Sequence, residues 1–136
     1  MHSESDGGEM MQVTLSYLRS NPNSIFVYGD NLKHVGCLGA AFFRYEPNSY
    51  GFITKKIPSN DPWAFYRPAE YVHVFQRELD KLIWKIKTSP GKTWLISQIG
   101  SGLANRYKIW EHVISPGIES LRQFPNVIFL WEKEDE

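Results

Sequence analysis

Apolar residues recur at helical spacing near the start of the chain, at Met11, Leu15 and Leu18, with Val13 and Tyr17 beside them. Asn21-Pro22-Asn23 closes that segment, so a helix is expected from Met11 to Arg19. The pattern then changes. Ile25-Phe26-Val27-Tyr28, ending at Gly29, is an unalternating apolar run of β-branched and aromatic residues, as expected of a strand buried on both faces. Asp30 to Gly39 reads as a loop, Ala40 to Tyr45 as a short helix stopped before Pro47, and Tyr50 to Thr54 as a second strand. A long loop with Pro58, Pro62, Trp63, Phe65 and Tyr66 leads to the clearest helix, Pro68 to Lys87, where Tyr71, Phe75, Leu79, Leu82 and Ile86 keep one face apolar. Thr93 to Ser97 is a third buried strand. Residues 98–106 form a glycine-containing loop, Tyr107 to Gln123 a helix that Pro116 is expected to kink, and Val127 to Trp131 the last strand.

The order helix, then β-α-β-α-β-α-β, predicts an α/β fold: three layers, α/β/α, around a mostly parallel sheet. A natural topology puts the first strand inside, the second on one side of it and the third and fourth on the other. Ligands in such sheets bind beyond the carboxyl ends of the strands, where strand order reverses. That point lies between the first and third strands, where the loops 29–39 and 98–106 meet.

Composition narrows the partners. Fifteen Lys and Arg balance fifteen Asp and Glu over 136 residues, which argues against a bulk electrostatic grip on nucleic acid. The polar, glycine-rich residues 1–10 read as a disordered tail and 11–136 as one domain; a domain of that size buries roughly 70% of its unfolded surface. The single cysteine, Cys37, excludes an internal disulfide and a CxxC metal site. His2, His34, His73 and His112 are scattered, so no metal is expected. No apolar run is long enough to span a bilayer and the start lacks signal-peptide features, so a cytoplasmic location without a membrane partner is expected. Oligomeric state is left open.

The candidate chemistry lies in the two loops and one strand end. Gly29, Gly36 and Gly39 let backbone N–H groups approach an anion at a helix start, and Asp30 and Asn31 sit where polar groups can face a ligand. The alternative is that the glycines serve turns and Asp30 caps locally. Gly100-Ser101-Gly102 precedes the second helix start, and together the loops suit a diphosphate. Lys55 closes the second strand; half-buried, it would have a depressed pKa and act as nucleophile or base, or it simply marks where the strand meets water.

These segments also resemble a known family. Gly100-Ser101-Gly102-Leu103 followed by Trp110-Glu111-His112-Val113-Ile114 resembles the closing "IGCGL…W…V" segment of macro domains. Tyr50-Gly51-Phe52-Ile53-Thr54-Lys55-Lys56 resembles the "ITKK" strand of the lysine-dependent branch, and Val35 to Phe43 its "GxMGxGIAxxF" loop and helix. That branch includes ADP-ribosyl glycohydrolases acting on protein-linked glutamate and antitoxins that remove ADP-ribose from DNA bases. The resemblance implies a compact macro-like domain that binds ADP-ribose, or an ADP-ribosylated nucleic acid or protein, and hydrolyses the C1″ linkage without a cofactor. It implies catalytic roles for Lys55, Asn31 and Asp30. The ligand would be held by Gly29, Gly36, Leu38, Gly39 and Thr54, and by Ile99, Gly100, Ser101, Gly102, Leu103, Ala104 and Asn105. The chain departs from the family in two places. Ala104 stands where the protein-directed enzymes carry a catalytic Asp, and the usual first strand with "KGD" is missing, so it reads as a truncated, atypical member. A binding module without turnover is the alternative.

Overall fold

The computed structural model describes residues 13–36 and 42–132. Four strands, β1 (Ser24–Asn31), β2 (Ser49–Lys55), β3 (Thr93–Ile96) and β4 (Val127–Phe129), form one sheet in the order β2-β1-β3-β4. Every pairing is parallel. The α/β fold and the interior position of β1 are as the hydrophobic pattern predicts.

Helices cover both faces. On one, α2 (Pro68–Thr88) brings Tyr71, Phe75, Leu79 and Leu82 onto Val27, Phe52 and Ile96. On the other, Leu18 of α1 (Leu15–Ser20) and Phe43 pack on Phe26, Tyr28 and Leu95. Phe43 meets Phe26 edge-on at 4.9 Å between ring centroids. The strand order requires this division. The chain moves one way from β1 to β2 and the opposite way from β2 to β3, so crossovers of one hand must lie on opposite faces.

As the edge strand, β2 presents an unpaired rim of backbone groups, which α2 covers. Glu78 accepts from Ile53 N–H at 2.9 Å, and the Tyr71 hydroxyl donates to the Ile53 carbonyl. Further along, Lys56 N–H donates to the Ala64 carbonyl at 2.9 Å, and Lys55 pairs with Phe65 in an antiparallel bridge. Burial, reinforced by the Glu78 charge, raises the Tyr50 hydroxyl to about 12.

Several elements differ from the pattern, among them the last strand, which ends at Phe129 rather than Trp131. The first helix starts only at Leu15, because extended Thr14 caps it, its Oγ1 accepting from Tyr17 N–H at 3.0 Å. β1 runs on through Gly29, Asp30 and Asn31, because β2 pairs with it as far as Asn31 opposite Lys55, past an irregularity between Asp30 and Asn31. Of the short helix expected over 40–45, Ala40 and Ala41 lie outside the described residues, Phe42 and Phe43 are 3-10 helical, and Arg44 and Tyr45 form a turn. The last helix changes pitch: a π turn at Trp110–Ile114, one α turn, α3 (Ser115–Ile118), then a 3-10 stretch at Glu119–Gln123. Pro116 has no N–H for the carbonyl four residues back, and Ser115 N–H reaches Trp110 instead, five residues back.

Gly117 follows that proline and faces α2. A Cβ there would lie 2.3 Å from Cε2 of the buried Phe75 ring, whereas one on Gly91 would meet nothing within 4 Å. Gly117→Ala is therefore expected to lower stability by about 1–3 kcal/mol in urea unfolding, through overpacking. Gly91→Ala should stay within about 0.5 kcal/mol of wild type.

Candidate functional site at the carboxyl edge of the sheet

The reversal of strand order separates the loops that follow β1 and β3, and the candidate residues gather around that opening. Its floor is built without bulk. A Cβ on Gly29 would lie 3.0 Å from Thr54 Oγ1 and 3.8 Å from Gly100 N, so these three residues of β1, β2 and the β3 loop meet closely. Thr54 is buried, its hydroxyl 3.4 Å from the Asp30 carbonyl. Gly100 has φ +78°, and a Cβ there would stand 2.4 Å from Ile114 Cδ1. Both conditions call for glycine. Ser97 ties the start of this loop to β1, its hydroxyl donating to the Val27 carbonyl at 2.7 Å.

The polar end of β1 is buried and fully engaged. The Asp30 carboxylate accepts from Asn31 N–H at 2.8 Å, from the Arg44 guanidinium, and from His34 Nδ1 at 2.8 Å. Its side chain is 2% exposed. Gly51 on β2 makes room, since a Cβ there would lie 2.7 Å from Asp30 Oδ2 and 3.2 Å from the Tyr28 hydroxyl. Burial, followed by the Asp30 charge, pushes that hydroxyl up from its ordinary value. Asn31 closes the next turn: Nδ2 donates to the Val35 carbonyl at 2.8 Å and Oδ1 accepts from Lys33 N–H at 3.0 Å. His34 takes φ +53° and Gly36 φ +91° within it. Leu38 and Gly39, expected to complete this loop, lie outside the described residues.

Lys55 stands one strand over, paired with Asn31 across the ladder. Its ammonium donates to the Ser59 carbonyl at 2.8 Å and lies 4.5 Å from the centroid of the Phe65 ring. It has no carboxylate partner among the described residues. Burial therefore draws its pKa below the usual lysine range. Lys56 turns away to Glu70 at 3.1 Å, as strand alternation predicts. A hydrogen bond from the Arg67 backbone, followed by Lys56, holds the Glu70 carboxyl below its ordinary value.

The loop after β3 is closed by its own bonds. Ser101 donates through both N–H and Oγ to the Gln98 carbonyl, at 3.2 and 2.7 Å. Asn105 prepares the following helix: Oδ1 accepts from Trp110 N–H at 2.9 Å and Nδ2 donates to Glu111 at 3.0 Å. Ile99, Gly100 and Ala104 are buried, whereas Gln98, Gly102, Leu103 and Arg106 are exposed. The structure thus brings Gly29, Thr54, Gly100 and Lys55 to one edge. It commits the side chains of Asp30, Asn31, Ser101 and Asn105 to holding the loops.

Two features are missing from the sequence reading. His34 and Arg44 converge on Asp30 from later in the chain, and the Asp30–His34 spacing carries no signal in a segment read as a loop. Arg67 and Arg106 also line the rim, Arg67 4.0 Å from the Tyr107 ring centroid and Arg106 5.6 Å from that of Phe65. Among the described residues no His, Cys, Asp and Glu cluster could hold a metal ion, and no helix is long and apolar enough to cross a membrane.

The model of a family of unknown function, DUF7831, matches residues 9–107. No curated protein and no solved structure matches the chain.

Gly100→Ala tests the floor of the opening. The added methyl must move Ile114, and φ +78° strains any L side chain. The expected loss is about 2 kcal/mol or more in chemical unfolding. Gly102→Ala, whose Cβ would meet nothing within 4 Å, should fall within about 0.5 kcal/mol of wild type.

Proposed function

The chain belongs to the DUF7831 family, and with no function to carry over from it we propose that this domain binds an ADP-ribosyl group at the carboxyl edge of its sheet and hydrolyses the C1″ linkage to a nucleic-acid or protein acceptor. The observation that carries this reading is Lys55. Its amine is partly desolvated, has no carboxylate partner among the described residues, and ends the strand whose Thr54 meets Gly29 and Gly100. The macro-domain resemblance places the reacting lysine of its lysine-dependent branch at this residue. A lysine with lowered pKa offers more neutral amine at physiological pH, and it can form a Schiff base with the ring-opened sugar aldehyde. The two glycine loops suit the diphosphate, which backbone amides can hold without added lysines.

A second reading is a module that binds ADP-ribose or a related NAD-derived nucleotide without turnover. Ala104 favours it: a buried methyl occupies the position that the resemblance would give to a catalytic Asp.

Release of ADP-ribose from a modified single-stranded oligonucleotide and from a glutamate-modified peptide separates the two. Wild type is expected to release it from at least one substrate. Lys55→Met should lower the single-turnover rate about 100-fold or more, keep ADP-ribose affinity by calorimetry, and unfold within about 1 kcal/mol of wild type. Borohydride added during turnover should trap an adduct on Lys55. Binding of ADP-ribose without release from either substrate selects the second reading, and no binding at all sinks both.

A further inference from the structure

We propose that His34 is the proton-transfer group of this site and that Asp30 is its positioning residue, an inference that rests on the lysine-dependent reading above. A carboxylate only accepts hydrogen bonds, so the 2.8 Å contact between His34 Nδ1 and Asp30 Oδ2 puts the proton of the neutral ring on Nδ1. Nε2 then carries the lone pair. Asp30 is buried and is itself fixed by Arg44 and by Asn31 N–H. The imidazole side chain, by contrast, is 64% exposed. The ring is thus anchored at one nitrogen and open at the other, the geometry of an oriented acid–base group. The backbone fits that purpose: His34 adopts φ +53°, held by its N–H to the Asn31 carbonyl at 3.0 Å. Glycine would take this conformation without steric cost, whereas the imidazole gains its bond to Asp30. Two residues on, the loop packs against the segment that follows Lys55: a Cβ on Gly36 would lie 3.3 Å from Pro58.

The steps balance with Lys55 and His34 alone. The neutral Lys55 amine attacks C1″, the bond from C1″ to the acceptor breaks, and the imidazolium gives its Nε2 proton to the departing acceptor. Ring opening moves one amine proton to the ring oxygen and leaves a protonated imine on Lys55. Water then adds to C1″ while neutral His34 takes a water proton. The carbinolamine collapses to the sugar aldehyde and free Lys55 amine, with its hydroxyl proton passing to the leaving nitrogen. Both groups return to their starting states. Among the described residues the charged group in contact with His34 is Asp30 on β1, which is itself met by Arg44 ahead of β2 and by the Tyr28 hydroxyl on β1; Lys33 is the neighbour in the loop.

Because the first step needs neutral lysine and protonated histidine together, the wild-type rate should be bell-shaped in pH. Removing the histidine should leave a single limb that rises with pH through the titration of Lys55. His34→Asn tests this, since asparagine tolerates the left-handed backbone. The expected result is a fall of about 100-fold or more in single-turnover release at pH 7, loss of the falling limb, and ADP-ribose affinity within about threefold of wild type. Imidazole 15N spectra of the full chain should show the Nδ1–H tautomer at His34. A variant that keeps the wild-type rate and bell overturns the proposal and leaves the lysine reading standing. A loss of affinity equal to the loss of rate makes His34 a binding group and also overturns it. So does an Nε2–H tautomer. Failure of the wild type to release ADP-ribose removes the lysine reading and, with it, this role for His34.

Discussion

A chain that passes from a central strand to one neighbour, and then back beyond the centre to the other, must cross the sheet on opposite faces. In this protein β1 is the centre, the connection to β2 runs over the α1 face, and α2 returns over the other. The loops after β1 and β3 are therefore pulled apart, and an opening at the carboxyl edge follows from topology alone. Side chains then decide what the opening can be. Bulk there would close it, and the residues that meet across it are two glycines and a threonine. Stability elsewhere leaves this edge free: α2 supplies the main core and also satisfies the outer rim of β2 through Glu78 and Tyr71.

The polar end of β1 shows how function and folding compete for the same groups. A buried carboxylate is costly unless charged or hydrogen-bonding partners surround it. Asp30 is surrounded, and the same bonds set the direction of the loop that follows. Asn31 spends its amide on the turn over residues 31–35. Neither side chain is free to reach far, so in the proposed site they act through what they position: the backbone of the loop and the ring of His34. Lys55 is the contrasting case. Its amine is held by a carbonyl and an aromatic face, contacts that a polar ligand can replace without stranding a buried carboxylate.

The strands and the long helix were legible because burial on both faces leaves unbroken apolar runs such as Ile25 to Tyr28, and a one-faced helix such as α2 leaves a regular repeat. Strand order followed from the same pattern and the handedness of crossovers. Legibility stopped where tertiary contacts override local signals. Asp30 and Asn31 read as loop residues, yet β2 pairs with them and keeps them in the sheet. The last helix reads as one segment kinked at Pro116, yet the missing N–H and a glycine pressed on Phe75 leave three pitches in it. At the site, Lys55 could be found because it ends a strand with a clear pattern. The convergence of His34 and Arg44 on Asp30 could not, because it depends on the path of a loop that carries no periodicity.

Charge balance over the whole chain conceals an imbalance at this edge. Some cations elsewhere sit beside carboxylates: Arg19 with Glu46, Lys81 with Glu78, and Arg122 with Glu119 and Glu132. Along the rim formed by the segment after β2 and the loop after β3, Lys55, Arg67 and Arg106 lie over Phe65 and Tyr107 instead. An aromatic face orients a cation without cancelling its charge. Three cations on rings thus gather at this rim, alongside the Lys56–Glu70 pair, although the chain sums to zero, and clustered charge of this kind draws an anion to one place rather than coating a polyanion. Zero net charge is thus compatible with the proposed anionic ligand, whose diphosphate backbone amides can hold at short range.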